Sequence, residues 1–315
     1  MTITQALKFA TAKLTASYIT DSPRLEAEIL LAEVINQPRE FLLAHAEKRL
    51  TKNQNTKYKL QITRRLKGEP IAYLIGRQEF YGLAFKVNKN VLIPRPETEL
   101  MVEEALPLIT RNPARPAGGS QPVTLIDIGT GSGCVIIALA KSIINYESSI
   151  TNHKFIGIDI SKSALGVARQ NAKLHGVNKD IKFIKSNLLE LILNSKFVIR
   201  NCKLIILANL PYLTASQIKN SPAIKREPRL ALSGGKNGLE LYEKLFKQIK
   251  KLRDVNILCE FDPRQSAKIK QLIKRELPQA ALQIKKDLAG LNRLAIIELL
   301  SNDSGINTGI ARLRI

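Results

Sequence analysis

From Val123 onward the chain repeats one pattern: a short apolar run, a turn, then a helical segment. The runs are "VTLIDIG", "KFIGIDI", "IKFIKSN", "KLIILANLPY" and "VNILCEF". Apolar runs of this length, bounded by turn residues, read as buried strands. Their alternation with helices predicts a mainly parallel sheet covered by helices, an α/β fold. The last segment, "LQIKKDLAGLNRLAIIEL", holds two strand-like runs close together, which predicts an antiparallel hairpin closing the sheet. No internal repeat is present.

The chain before this pattern has a different character. Residues 1–72 read as helical. "PRLEAEILLAEVI" places Leu25, Ile29, Ala32 and Ile35 on one face, with Ser22 as cap and Pro23 at the first helical position. A second amphipathic run extends from Tyr58 to Leu66. Strand-and-turn chemistry is missing here, so a small helical bundle is expected. Residues 73–95 contain "EFYGLAFKVNKNVLIP", a hairpin-like linker with turn formers Gly82, Asn88 and Asn90. "PRPETELMVEEAL" then starts a helix, with Thr98 as its expected cap. "RNPARPAGGSQP" is an exposed connection inside the 96–300 domain, and residues 301–315 form a polar tail.

Composition limits the function classes. Cys134, Cys202 and Cys259 have no paired spacing and no histidine cluster nearby, so neither a disulfide framework nor a metal site is expected. The N-terminus lacks a signal-peptide core, and no stretch approaches the ~18–20 apolar residues of a membrane span. A cytoplasmic protein is expected. Net charge is +22, and it is uneven: residues 1–120 hold 18 Lys/Arg against 12 Asp/Glu, residues 121–315 hold 31 against 15. Such a field favours ribosomal or other RNA surroundings, while a solvated lysine surface without a partner explains it equally.

The first strand of the α/β region runs into Gly129-Thr130-Gly131-Ser132-Gly133, then an apolar helix. Small residues let the backbone approach a ligand, although a tight strand-to-helix crossing uses them too. The spacing is neither the dinucleotide fingerprint nor the phosphate loop. Asp127 precedes the turn; its carboxylate would repel pyrophosphate and suits an ammonium group. The implied ligand is a nucleoside bearing an amino acid, as in S-adenosylmethionine. Asp159 ends the second strand, where such folds bind a ribose diol. It can alternatively cap the next helix, a role open also to Ser161. After the third strand, Asn187 can meet an adenine amino group, or act as a turn residue, and Leu188 can pack on the ring.

The fourth strand ends in Asn209-Leu210-Pro211-Tyr212. A planar NH₂ group is a poor nucleophile because its lone pair is delocalised. Two acceptors that grip its N–H groups orient the lone pair toward a methyl donor, which is catalysis by positioning. The Asn209 side chain and the Leu210 carbonyl suit those roles. Pro211 stiffens the turn, and Tyr212 offers a π face. No strong base is needed, and His45, His153 and His175 fall in no motif.

With these motifs in place, the chain resembles the protein-glutamine N5-methyltransferases that modify peptide-chain release factors. "EFYGLAFKVNKNVLIPRPETELMVEEAL", "DIGTGSGCVIIALA", "IDISKSALGVARQNA", "EPRLALSGGKNGLELY" and "DLAGLNRLAIIEL" match in order over roughly residues 10–300. The resemblance implies a class I S-adenosylmethionine-dependent methyltransferase fold, Rossmann-like with a seven-stranded, mostly parallel sheet, and a small all-α N-terminal domain for substrate recognition. It implies donor binding at residues 129–133, Asp127, Asp159, Asn187, Leu188 and Asn209. The glutamine of a class 1 release factor's Gly-Gly-Gln loop would sit at residues 209–212, with Arg95 and Glu97 contributing. Five departures stand out: Leu210 for the usual Pro, Asn187 for Asp, Leu188 where an aromatic is common, Asn237 for Asp, and Asp262 where Gly is expected. Asn-Leu-Pro-Tyr also occurs in adenine N6-dimethyltransferases of ribosomal RNA, though these are not expected to carry "LIPRPETE". A non-catalytic binding relative is a further alternative.

Overall fold

The computed structural model describes residues 1–110, 122–146, 153–194, 203–221, 224–252 and 254–300. Most of the exposed connection and the whole polar tail, 111–121 and 301–315, lie outside the described residues.

Five helices open the chain: α1 (Ile3–Ser17), α2 (Pro23–Ile35), α3 (Arg39–Ala44), α4 (Lys52–Leu66) and α5 (Ile71–Ile75). Two start with complete capping boxes, Thr2 with Gln5 and Thr51 with Gln54, so α4 begins a turn and a half before Tyr58. Ser22 makes no capping hydrogen bond, and Pro23 occupies the helix start. The buried face of α2 also differs from expectation. It consists of Ala27, Glu28, Leu30, Leu31 and Ala32, while Leu25 is exposed. Apolar residues lie almost all round this helix, so packing against α1 and α4 chooses the face. Glu28 is tolerated inside because Arg24 and Arg39 both pair with it. Tyr58 fills the bundle centre and donates its hydroxyl proton to the Ala27 carbonyl at 3.0 Å.

Strands β1 (Arg77–Phe80) and β2 (Leu83–Lys86) form the linker hairpin, and α6 (Glu99–Thr110) follows. Next come β3 (Val123–Ile128), α7 (Cys134–Tyr146), β4 (Lys154–Asp159), α8 (Lys162–Leu174), β5 (Ile181–Lys185), α9 (Glu190–Asn194), β6 (Lys203–Ala208) and α10 (Ala215–Lys219). The chain closes with α11 (Glu240–Ile249), β7 (Val255–Glu260), α12 (Ser266–Glu276), β8 (Ala281–Lys286) and β9 (Asn292–Leu299).

The sheet has seven strands in the order β5-β4-β3-β6-β7-β9-β8. β3 to β7 are parallel, and the β8–β9 hairpin adds antiparallel strands at one edge. Strands β3, β6 and β7 are apolar along nearly their whole length because helices cover both faces. One apolar layer packs α11 and α12 on the sheet; the other packs α6, α7 and the linker hairpin. After β3 the chain lays β4 and β5 to one side, then returns to lay β6 on the other. Carboxyl ends of parallel strands at such a reversal leave a crevice for ligands. The β3 end carries the glycine turn and the β6 end carries Asn209.

Candidate active site

A cavity opens at this reversal. Its wall includes Asp127, Gly129, Thr130, Gly131 and Ser132 from the β3 turn, and Asp159 from the β4 tip. Asn187 and Leu188 after β5, and Asn209, Leu210 and Pro211 after β6, also line it. Arg95 and Thr98 contribute from the linker side. Sequence positions spread over more than a hundred residues thus converge on one crevice. Three expected residues do not line it: Gly133, Glu97 and Tyr212.

The turn is held from below. The Gly129 and Thr130 N–H groups both donate to the Ile158 carbonyl, at 2.8 and 2.9 Å. Gly129, Gly131 and Gly133 all have positive φ. Gly133 serves packing: a Cβ there would lie 2.8 Å from the Ile137 side chain and 3.2 Å from that of Ala168. It draws α7 and α8 together and stays outside the cavity wall. Asn171, fully buried, ties the turn to the linker hairpin. Its amide nitrogen donates to the Ser132 and Lys86 carbonyls, and its oxygen accepts from the Lys86 N–H.

Two carboxyls give the cavity its polarity. Asp127 is buried, accepts the Thr130 hydroxyl at 2.6 Å, and is pushed up to about 7 by burial. Asp159 accepts the N–H groups of Gly131 at 3.0 Å and Ser161 at 2.8 Å, one on each oxygen. Burial raises it above the ordinary carboxylate range. Ser161 itself caps α8, so Asp159 is spared that role, yet it is not free: it fixes the glycine turn. Each oxygen keeps lone pairs for a diol. The Asn187 amide nitrogen donates to Glu190 at 2.7 Å, which leaves its oxygen available. Leu188 takes a left-handed backbone conformation (φ 52°) and buries its side chain against the core below the cavity.

Around the tetrapeptide the structure adds Glu260, which the sequence did not single out, and gives Thr98 a role other than the expected cap. Glu260, at the end of β7, lies beside Asn209 because β6 and β7 pair in register with Ala208 opposite Cys259. The Asn209 amide nitrogen donates to Glu260 and to the Thr98 hydroxyl oxygen, both at 3.1 Å. Thr98 in turn donates its hydroxyl proton to Glu260 at 2.7 Å. Thr98 therefore does not cap α6; its side chain faces the site. Tyr212 reaches the other Glu260 oxygen at 3.4 Å. Burial pushes Glu260 up to about 7.

Gly234 and Gly238 press on the same segment. A Cβ on Gly234 would meet the Pro211 carbonyl at 2.6 Å and the Tyr212 Cα at 2.7 Å; one on Gly238 would meet the Tyr212 carbonyl at 2.4 Å. Arg95 is paired with Glu227, which also accepts the Ile93 N–H at 3.1 Å. Its guanidinium clamps the linker onto the 224–231 loop. Glu97 is exposed.

The chain is similar to known proteins over most of its length. Residues 5–76 match the PrmC N-terminal domain model, and residues 120–277 match a methyltransferase domain model. The release factor glutamine methyltransferase of Bacillus subtilis is 34% identical over 93% of this chain and 96% of its own length. That of Bacillus anthracis is 31% identical over 95% of this chain and all of its own. The chain belongs to the release factor glutamine methyltransferase family. It also matches a bifunctional methyltransferase of Rickettsia bellii, 33% identical over 89% of this chain, and spans about half (52%) of that longer protein. Among solved structures, the hMettl16 catalytic domain in complex with a MAT2A 3'UTR hairpin shares the fold, with TM-score 0.53, 13% identity, and coverage of 82% of this chain and 84% of that one.

As a member of this family the chain is a methyltransferase that uses S-adenosylmethionine. The cavity fits such a group: a glycine cradle, two carboxyls for a cation and a diol, and an apolar floor. Among the described residues no helix is long and apolar enough to cross a membrane, and no cluster suits a metal ion.

The site roles of Glu260 and Thr98 are hidden in the sequence for different reasons. "VNILCEF" reads as a strand whose single acid looks like its end. Thr98 looks like a helix cap. Their partnership spans 162 residues.

Proposed function

We propose that this chain transfers a methyl group from S-adenosylmethionine to the side-chain amide nitrogen of the glutamine in the Gly-Gly-Gln loop of class 1 peptide-chain release factors. One observation carries the chemistry: both N–H groups of Asn209 are committed to Glu260 and Thr98. Its oxygen is left as an acceptor at the mouth of the crevice.

Donor binding falls to residues 129–132, with Asp127 toward the amino-acid ammonium group, Asp159 toward the ribose diol, and Asn187 and Leu188 toward the adenine. When bound, S-adenosylmethionine supplies an electrophilic methyl group on a sulfonium. The Asn209 oxygen and the Leu210 carbonyl accept the two N–H groups of the substrate amide and turn its lone pair outward. Pro211 limits the motion of that carbonyl, and Tyr212, outside the cavity wall, supports Glu260 through its hydroxyl. The methylated nitrogen releases one proton to water, so no strong base is required. The helical domain and Arg95, which stiffens the linker, present the factor. Basic surface on α11, just after it and on α12, among them Lys244, Lys251, Lys268 and Lys270, suits a site of action close to RNA.

The test incubates the protein with labelled donor and either a release factor or ribosomal RNA. Label is expected in the factor and absent when its loop glutamine is replaced. Label in RNA with none in the factor would overturn the proposal.

A further inference from the structure

We infer that Glu260, acting with Thr98, fixes which way the Asn209 carboxamide faces and polarises it, making Glu260 a positioning residue for methyl transfer. The inference rests on the function proposed above and adds a residue to it.

A carboxamide has two nearly equivalent faces, and only its surroundings decide where the oxygen points. Here the decision is made twice. An ionised carboxylate only accepts, so the atom of Asn209 that lies 3.1 Å from Glu260 must be the donor nitrogen. The Thr98 hydroxyl has one proton and donates it to Glu260 at 2.7 Å. Thr98 therefore offers Asn209 only lone pairs, at 3.1 Å. A flipped amide would aim its oxygen at the carboxylate and leave the catalytic mouth with a donor. That donor would repel the N–H groups of a substrate amide.

The same arrangement does more than orient. Hydrogen bonds to an ionised partner are stronger than neutral ones, and chained bonds polarise one another. Negative charge at Glu260 draws the Asn209 N–H groups toward it and enriches electron density at the amide oxygen. That oxygen then grips the substrate N–H more firmly as positive charge develops on the attacked nitrogen. Glu260 and Thr98 come from β7 and from the turn after the linker, so the linker segment joins the site through Thr98 as well as through Arg95.

Reversing the hydrogen bond tests this. Asn209→Asp puts an acceptor against Glu260, whereas Asn209→Asp with Glu260→Gln restores one donor and one acceptor, now reversed, and keeps an oxygen at the mouth. Transfer to a release factor, donor affinity by calorimetry and urea midpoints would be measured on the full chain. Glu260→Gln should lower kcat about tenfold, with KM and donor affinity within about twofold. Asn209→Asp should lose about a hundredfold or more, and the double variant should regain about tenfold of that. Asn209→Asp should also lower the urea midpoint more in the parent chain than in the Glu260→Gln background. That last readout needs no substrate, so it separates a wrong orientation from a wrong choice of substrate. A double variant no better than Asn209→Asp in transfer, or equal midpoint shifts in the two backgrounds, would overturn the inference.

Discussion

The hydroxyl oxygen of Tyr242 lies 3.1 Å from the backbone nitrogen of Leu210 and accepts its N–H. Tyr242 is fully buried, and its own proton goes to the Ala208 or the Glu260 carbonyl. The relationship explains how a leucine fits the second position of the tetrapeptide, where proline is usual in this family. Proline brings no N–H, whereas leucine brings one into a buried place. An unpaired N–H there would cost about 1–3 kcal/mol. The Leu210 side chain packs at the Gly129 turn, within 3.3 Å of where a Cβ would stand.

Removing that acceptor should therefore expose the leucine. Tyr242→Phe is expected to destabilise the fold by about 1–3 kcal/mol in urea denaturation. Adding Leu210→Pro should recover part of the loss, because no N–H is left to satisfy. Strictly additive losses in the double variant would argue against the pairing.

Sequence pattern sufficed wherever the relevant contacts are local or periodic. The strand runs of the sheet, the glycine turn and the tetrapeptide each declare themselves within a few residues. Long-range partnerships left no such mark. Glu260 acquires meaning only when β7 lies against β6, and Asn171 only when α8 meets the linker hairpin. The face of α2 was ambiguous because its apolar residues encircle it. Thr98 shows how a plausible local role, a cap, loses to a tertiary one: a buried carboxylate needs hydrogen-bond donors.

The proposed donor site uses Asp159 twice, through the ribose it would hold and through the Gly131 N–H it accepts. Asp159→Ala should weaken donor affinity about a hundredfold by calorimetry, given about 1.5–3 kcal/mol for each hydrogen bond to a charged group. Asp159→Asn should fall between this variant and the parent. Undiminished affinity in Asp159→Ala would remove Asp159 from the donor site.

Gly234 supports the tetrapeptide by leaving room for it. A Cβ there would overlap the Pro211 carbonyl and the Tyr212 Cα, both backbone atoms that cannot swing aside. Gly234→Ala should thus shift residues 211–212 and lower kcat for transfer at least about tenfold, since small misplacements of reacting groups are costly. Donor affinity, proposed to rest on Asp127, residues 129–132 and Asp159, should change much less. Equal losses in both quantities would mean that the glycine supports the whole crevice.

Finally, pH should act on activity and on stability in opposite directions. Burial lifts Glu260 from an ordinary 4.5, and Asp127 from 3.8, up to about 7. Around Glu260, the Thr98 and Tyr212 hydroxyls and the Arg293 charge oppose that rise, while Glu97 adds to it. Both carboxyls carry full negative charge only above about 7. As pH falls through that value, kcat should drop with protonation of Glu260, and donor affinity with protonation of Asp127. Glu260→Gln should abolish the first limb and keep the second. Between about 4.5 and 7 the folded chain holds protons on these groups that the unfolded chain has released, so their contribution to stability declines as pH rises through this window. Titrating kcat, donor affinity and the urea midpoint on one protein from pH 5 to 8 checks all three signs. A kcat profile unchanged by Glu260→Gln would show that its charge plays no part in transfer.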